Sequence, residues 1–190
     1  MKMEKEFRET PQERINRAIR RKNMRRIFLI FVSVMILVIL VYGGTRYTRR
    51  QNANLPGVAF PDQGREHVAP GHQHEYNSNP PTSGWHWWQP AEWGVYKTEL
   101  LDEQVVHNLE HGGIWISYKP GIPDEMRQKL EAFYEKWGRK IIVTPRAKND
   151  SDIALAAWTR LDTLSVAEYS DDRIEKFIKA FRNKGPEFVP

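Results

Sequence analysis

No cysteine occurs among the 190 residues, so disulfides, thiolate metal ligands and blue-copper sites are all excluded. Methionine is almost as restricted: past the apolar segment near the N-terminus only Met126 remains, too few thioethers for a soft Cu(I) site. Residues 27–44, IFLIFVSVMILVILVYGG, lack charge altogether and carry one aliphatic hydroxyl, Ser33. Histidine is missing everywhere except between positions 67 and 111, where all six sit: His67, His72, His74, His86, His107 and His111. No internal repeat or low-complexity tract interrupts the chain.

The uncharged run is long enough, at about 1.5 Å per residue, to cross most of a bilayer's hydrocarbon. It shows no polar face at the 3.6-residue period, as a core helix would. A cleaved signal peptide fits poorly, because 26 residues precede the run and no small-x-small pattern follows it closely. The expectation is a retained single span over 27–44. Arg14, Arg17, Arg20, Arg21, Lys22, Arg25 and Arg26 precede it, against Arg46, Arg49 and Arg50 beyond, which places residues 1–26 in the cytoplasm and the rest outside the cell membrane.

The net charge of +5 is unevenly distributed. Residues 1–44 hold ten basic and four acidic groups, residues 45–190 nineteen and twenty. Basicity confined to the membrane edge argues for topology and anionic lipid, and against nucleic acid as a partner.

Residues 45–66 mix polar groups, Gly and Pro without a period and read as a linker. Residues 67–190 are enough for one domain. Its first third is rich in turn formers and in Trp85, Trp87, Trp88 and Trp93. Leu101, Val105 and Leu109 at fourfold spacing, with Gly112 as stop, predict a short helix over 99–111. IWISY at 114–118 predicts a strand. Asp124–Trp137 predicts an amphipathic helix entered by Pro123. Strands are expected at 140–144 and 154–159, and a helix at 171–183. The class is α+β: a short mixed sheet, two to three helices and a loop-rich His/Trp segment after the membrane helix.

His74, Tyr76, Pro80-Pro81-Thr82-Ser83-Gly84, His86, Trp93, Gly94 and Tyr96, then Val106-His107-Asn108-Leu109-Glu110-His111-Gly112, Ala157-Trp158 and Gly185-Pro186-Glu187, resemble the family known as domain of unknown function 3105. The resemblance covers roughly residues 60 to 188. It implies a bacterial, membrane-anchored, outward-facing domain, and it supplies no catalytic residues.

On a helix, His107 and His111 stand one turn apart on one face, the spacing that offers two imidazoles to zinc. The string His107-Asn108-Leu109-Glu110-His111 also satisfies H-x-x-E-H, in which Glu110 would act as general base on a metal-bound water. Members of that class hold the motif inside a long helix and take a later third ligand, whereas here Gly112-Gly113 follows at once. His72 and His74 share one side of an extended segment, and His86 follows the PPTSG turn. The candidate ligand set is His72, His74, His86, His107 and His111, for Cu(II) or Zn(II), in a binding, storage or structural role; the alternative is that these histidines hydrogen-bond backbone and carboxylate groups in a polar core without metal. The rival expectation is a metal-free envelope accessory subunit that contacts a partner protein through the Trp-rich loop; there, exposed rings would indicate recognition and buried rings packing. A metal-dependent hydrolase using His107, Glu110 and His111 is the third. The sequence names no reaction.

Overall fold

A computed structural model describes residues 11–72, 74–187 and 189 of the chain. The contacts divide into two units, one ending at Asn52 and one spanning Ala53–Pro190.

In the first unit, α1 runs from Pro11 to Ala53. The uncharged run keeps its large side chains on the outside, Leu40 being 66% exposed, so within this unit nothing covers them. By length and composition α1 is able to cross a membrane, and it is the one such helix among the described residues. The polar stretch from 45, expected as linker, is helical through Ala53. Thr45 and Thr48 hydroxyls donate back to the carbonyls of Tyr42 and Thr45, which lets a helix carry them past the apolar run.

The second unit is built on a six-stranded mixed sheet, with β1 (Val58–Ala59), β4 (Gly94–Val95), β5 (Ile114–Tyr118), β6 (Ile141–Pro145), β7 (Ile153–Ala157) and β8 (Arg160–Leu164) in the order β1-β8-β7-β5-β6-β4. A parallel pair, β2 (His67–Val68) and β3 (His86–Trp87), forms a separate ribbon. Strand β5 pairs in parallel with β6 and antiparallel with β7. The parallel pairing demands a long crossover, supplied by α3 (Asp124–Trp137).

Alternation along β5 assigns its two faces. Ile114, Ile116 and Tyr118 join Leu130 and Phe133 of α3 and Ile174, Phe177, Ile178 and Phe181 of α4 (Asp171–Phe181) in one core. Burying those four α4 side chains contributes roughly 6–12 kcal/mol at the usual 1.5–3 kcal/mol each. Trp115 points to the other face, where Val105 and Leu109 of α2 (Asp102–Glu110) pack with Ile142, Ala154, Ala156 and Leu161. The sheet is therefore covered on both sides, and α2 is held flat against it.

Differences from the sequence expectation have local causes. The strand predicted over 154–159 stops at Ala157, because the chain reverses at Thr159, whose φ is +59°. Strand β8 escaped prediction because RLDTL reads as polar. Its Asp162 receives Nε and Nη2 of Arg173, at 3.0 and 2.6 Å, which makes a buried carboxylate tolerable. The helix predicted over 171–183 ends at Phe181, and Asn183 adopts φ +63°.

Arg146, 4% exposed, ties the remaining pieces together. Its guanidinium is bidentate to Asp102 at the start of α2, at 2.8 and 2.7 Å, and also donates to Asn79 and Asn149. The face of Trp115 lies 5.7 Å below it.

Candidate metal centre

Helix α2 presents its apolar residues to the sheet and its polar residues to the Trp-rich loop. Asn108, 1% exposed, accepts from the Ala91 amide at 2.9 Å and donates to the Ala91 carbonyl at 2.8 Å. One turn of helix thus clamps the loop by its backbone, the anchoring that a segment with so few aliphatic residues requires.

The loop returns the contact through two imidazoles. His107 Nδ1 lies 2.6 Å from the Trp87 carbonyl, and His86 Nδ1 lies 2.7 Å from the Gly84 carbonyl. A carbonyl only accepts, so each Nδ1 carries the proton and each Nε2 is left with its lone pair. His86 Nε2 faces Glu110 Oε2 at 3.0 Å, and His107 Nε2 faces His111 Nε2 at 3.1 Å. His86 Nε2 and the Glu110 carboxylate therefore meet as two acceptors, joined only by a shared proton or a metal, whereas His107 Nε2 can accept from an Nε2–H of His111 or hold a cation with it.

His67 enters through the β2–β3 pairing, whose register sets it directly beside His86. Its ring stacks on His107 with centroids 4.8 Å apart and an 18° tilt, and its Nε2 stands 3.7 Å from Glu110 Oε2. One ligand atom each from His67, His86 and His107 lies within 4.8 Å of the others, and the same is true of His107, Glu110 and His111. Donors on a tetrahedral Zn(II), with bonds of about 2.0–2.1 Å, stand about 3.3 Å apart. The observed separations of 3.0–3.7 Å straddle that value.

A carboxylate arrives from far along the chain. The amide of Asn183 donates to the Gly112 carbonyl at 2.8 Å and that of Glu187 to the Glu110 carbonyl at 3.2 Å, laying residues 183–187 across the end of α2. Gly185 is required there, since a Cβ on it would stand 2.0 Å from the Glu110 carbonyl oxygen. Gly112, at φ +77°, is hemmed in by Asn183 in the same way. Lys140 Nζ donates to the His111 carbonyl at 2.7 Å and to the Val189 carbonyl. This strap brings Glu187 Oε2 to 3.3 Å from His111 Nε2.

Burial shapes the electrostatics. Desolvation holds His86 and His107 below the ordinary imidazole range, reinforced by the neighbouring histidines and opposed by their backbone hydrogen bonds. Desolvation, with Glu187 nearby, pushes Glu110 above the usual carboxylate value, while the surrounding histidines pull it down. Burial thus favours, at His86 and His107, the neutral form that a metal requires. Access remains on one side, where the side chains of His67, Arg65 and Glu187 are about half exposed.

Of the ligands expected from sequence, the structure gathers His86, His107 and His111. His72 and His74 lie elsewhere, their rings 5.2 and 5.4 Å from that of Trp85, with His74 also edge-on to Tyr76. The PPTSG segment explains this: its five residues are buried, and Gly84, at φ +122°, leaves room for the His74 ring on the Trp85 side. His67 and Glu187 are the members that sequence reasoning passed over. Among the tryptophans of the loop, Trp88 alone is largely exposed, at 65%, and Trp93 packs into the core beneath α2.

Fold and site together define a class: an α+β domain, covered on both faces of its sheet, in which helix, ribbon and strap converge on a histidine–carboxylate cluster whose geometry allows a metal. The chain belongs to the family described as Protein of unknown function (DUF3105), which matches over residues 67–189. Comparison with curated proteins gave no match, and comparison with solved structures gave none either.

Proposed function

We propose that this chain is a membrane-anchored domain that binds a divalent transition metal, Cu(II) or Zn(II), outside the cytoplasm, for storage, delivery or stapling of its own loop. The supporting observation is the orientation of His86 and His107. Each donates Nδ1–H to a backbone carbonyl and turns its Nε2 lone pair into the cluster, toward Glu110 from His86 and toward His111 from His107. Metal-binding histidines are oriented in this manner by their second hydrogen bond. Nitrogen and carboxylate donors without sulfur suit Zn(II) and Cu(II) and disfavour Cu(I). The apolar run of α1 supports a single span, and the basic excess before it supports a cytoplasmic N-terminus.

In this reading Glu110 is a ligand or the keeper of a ligand, since it contacts His86 and His67 directly. The H-x-x-E-H match gains no downstream histidine; the additional imidazoles come from upstream, on the ribbon. The accessory-subunit reading rests on Trp88, whose exposure leaves a single ring for contact.

Titration calorimetry of the full chain in detergent, after chelator treatment, tests the proposal with Zn(II) and Cu(II). Binding tighter than about 10 micromolar, roughly 7 kcal/mol, is expected, and a His107→Ala/His111→Ala double variant should lose it. Absence of binding at that level in the unmutated chain would overturn it.

A further inference from the structure

Close contacts within the cluster fall into two groups rather than one. His67 Nε2 and His86 Nε2 both approach Glu110 Oε2, at 3.7 and 3.0 Å. His107 Nε2 and Glu187 Oε2 both approach His111 Nε2, at 3.1 and 3.3 Å. Each group holds two imidazoles and one carboxylate, three donors with room for a fourth from solvent, the composition of an open zinc or copper position. The groups share a wall, formed by the stacked rings of His67 and His107. Glu110 spans both: one of its oxygens lies within 4.8 Å of the donor atoms of His107 and His111.

A single ion contacts four to six donors, and six side chains drawn from four separate parts of the chain exceed what one tetrahedral ion uses. We infer that the cluster is a two-cation centre, with one divalent ion held by His67, His86 and Glu110 and a second by His107, His111 and Glu187. Glu110, which reaches both groups, would be the shared ligand, and a solvent oxygen or a small oxyanion would complete the pair as in two-metal sites. Half-exposed Arg65, with its Nε 4.0 Å from Glu110 Oε1, stands at the mouth and favours an anionic bridging group. This inference rests on the metal-binding reading above.

The exposed members make the test clean, because His67 and Glu187 side chains are 46% and 50% exposed and their loss leaves the core intact. The full chain in detergent is stripped with chelator, dialysed against Cu(II) or Zn(II), and its metal content measured per chain. Two equivalents are expected for the unmutated chain. His67→Ala and Glu187→Gln should each retain one tightly held equivalent, and the two changes together should weaken both. With Cu(II), electron paramagnetic resonance should show a dipolar-coupled pair with a half-field signal, which either single variant abolishes. One equivalent in the unmutated chain, with an uncoupled spectrum, overturns the two-cation centre and leaves the metal-binding reading standing. No bound metal overturns both.

Discussion

Replacing Arg146 by Met tests whether the packing of α2 depends on one buried cation. The change keeps an apolar stem beneath the guanidinium site and removes four side-chain hydrogen bonds: two to Asp102, one to Asn79 and one to Asn149. Asn149 stays satisfied through Ser117, whose hydroxyl accepts from its amide at 2.9 Å, and Asn79 keeps its bond to the Lys148 carbonyl. Asp102 is the residue left exposed to the loss, a carboxylate whose side chain is 19% accessible and which no longer faces a cation. Breaking a buried pair from one side costs about 3–5 kcal/mol, and loss of the guanidinium over Trp115 adds to it. All seven tryptophans lie between positions 85 and 158, so fluorescence during urea unfolding reports this domain alone. With a slope of about 2 kcal/mol per molar urea, the midpoint should fall by about 2 M. An Asp102→Asn/Arg146→Met double variant removes the stranded charge, so it should lose at least about 1.5 kcal/mol less than the two single losses added. A midpoint shift under about 0.5 M, or additive behaviour in the double variant, would refute the account.

Three further outcomes are expected. Leu109→Ala and Phe177→Ala each empty a fully buried position and should cost about 3–5 kcal/mol in urea unfolding, but only Leu109→Ala, on the helix that carries His107 and is capped by His111, should also weaken Zn(II) binding in calorimetry. Gly185→Ala drives a methyl into the Glu110 carbonyl and should detach the strap, which native-state hydrogen exchange would read as loss of protection at the Asn183 and Glu187 amides; retained protection would count against the strap geometry. In metal-free protein, His86 and His107 are held below the ordinary value of 6.5, so as pH falls through 6.5 the unfolded chain takes up protons that the folded one refuses, and stability is lost. Glu110, raised by burial, acts in the opposite sense between its raised value and 4.5. Two depressed imidazoles against one raised carboxyl leave a net loss, measurable as a lower urea midpoint at pH 5.5 than at pH 7.5.

What the sequence disclosed follows from how each element announces itself. Strand β5 and helix α3 were legible to the residue because IWISY is β-branched and aromatic, and because Met126, Leu130 and Phe133 keep a helical period. Strand β8 was hidden by Arg160 and Asp162, buried groups whose polar partners, Gly57 and Arg173, belong to other segments. The two-residue strands are too short to display a period, so the ribbon that sets His67 against His86 could not be foreseen. The i, i+4 relation placed His107 and His111 together, since a helix fixes it locally. The i, i+2 relation of His72 and His74 was no guide, because it presumes an extended strand, and neither residue belongs to one. Glu187 carried no signal beyond the Gly-Pro-Glu string, its role arising from a glycine contact 75 positions from Glu110.

The strap gives synthesis a direction. Glu187 follows His111 by 76 positions, so at a ribosomal pace of about 5–20 residues per second it emerges roughly 4–15 seconds after the last imidazole. By the start of that interval all four imidazoles have been made, while the carboxylate and the Lys140–Val189 latch that close over them have not. Ion capture before the strap docks would therefore meet a looser, faster-exchanging set of donors.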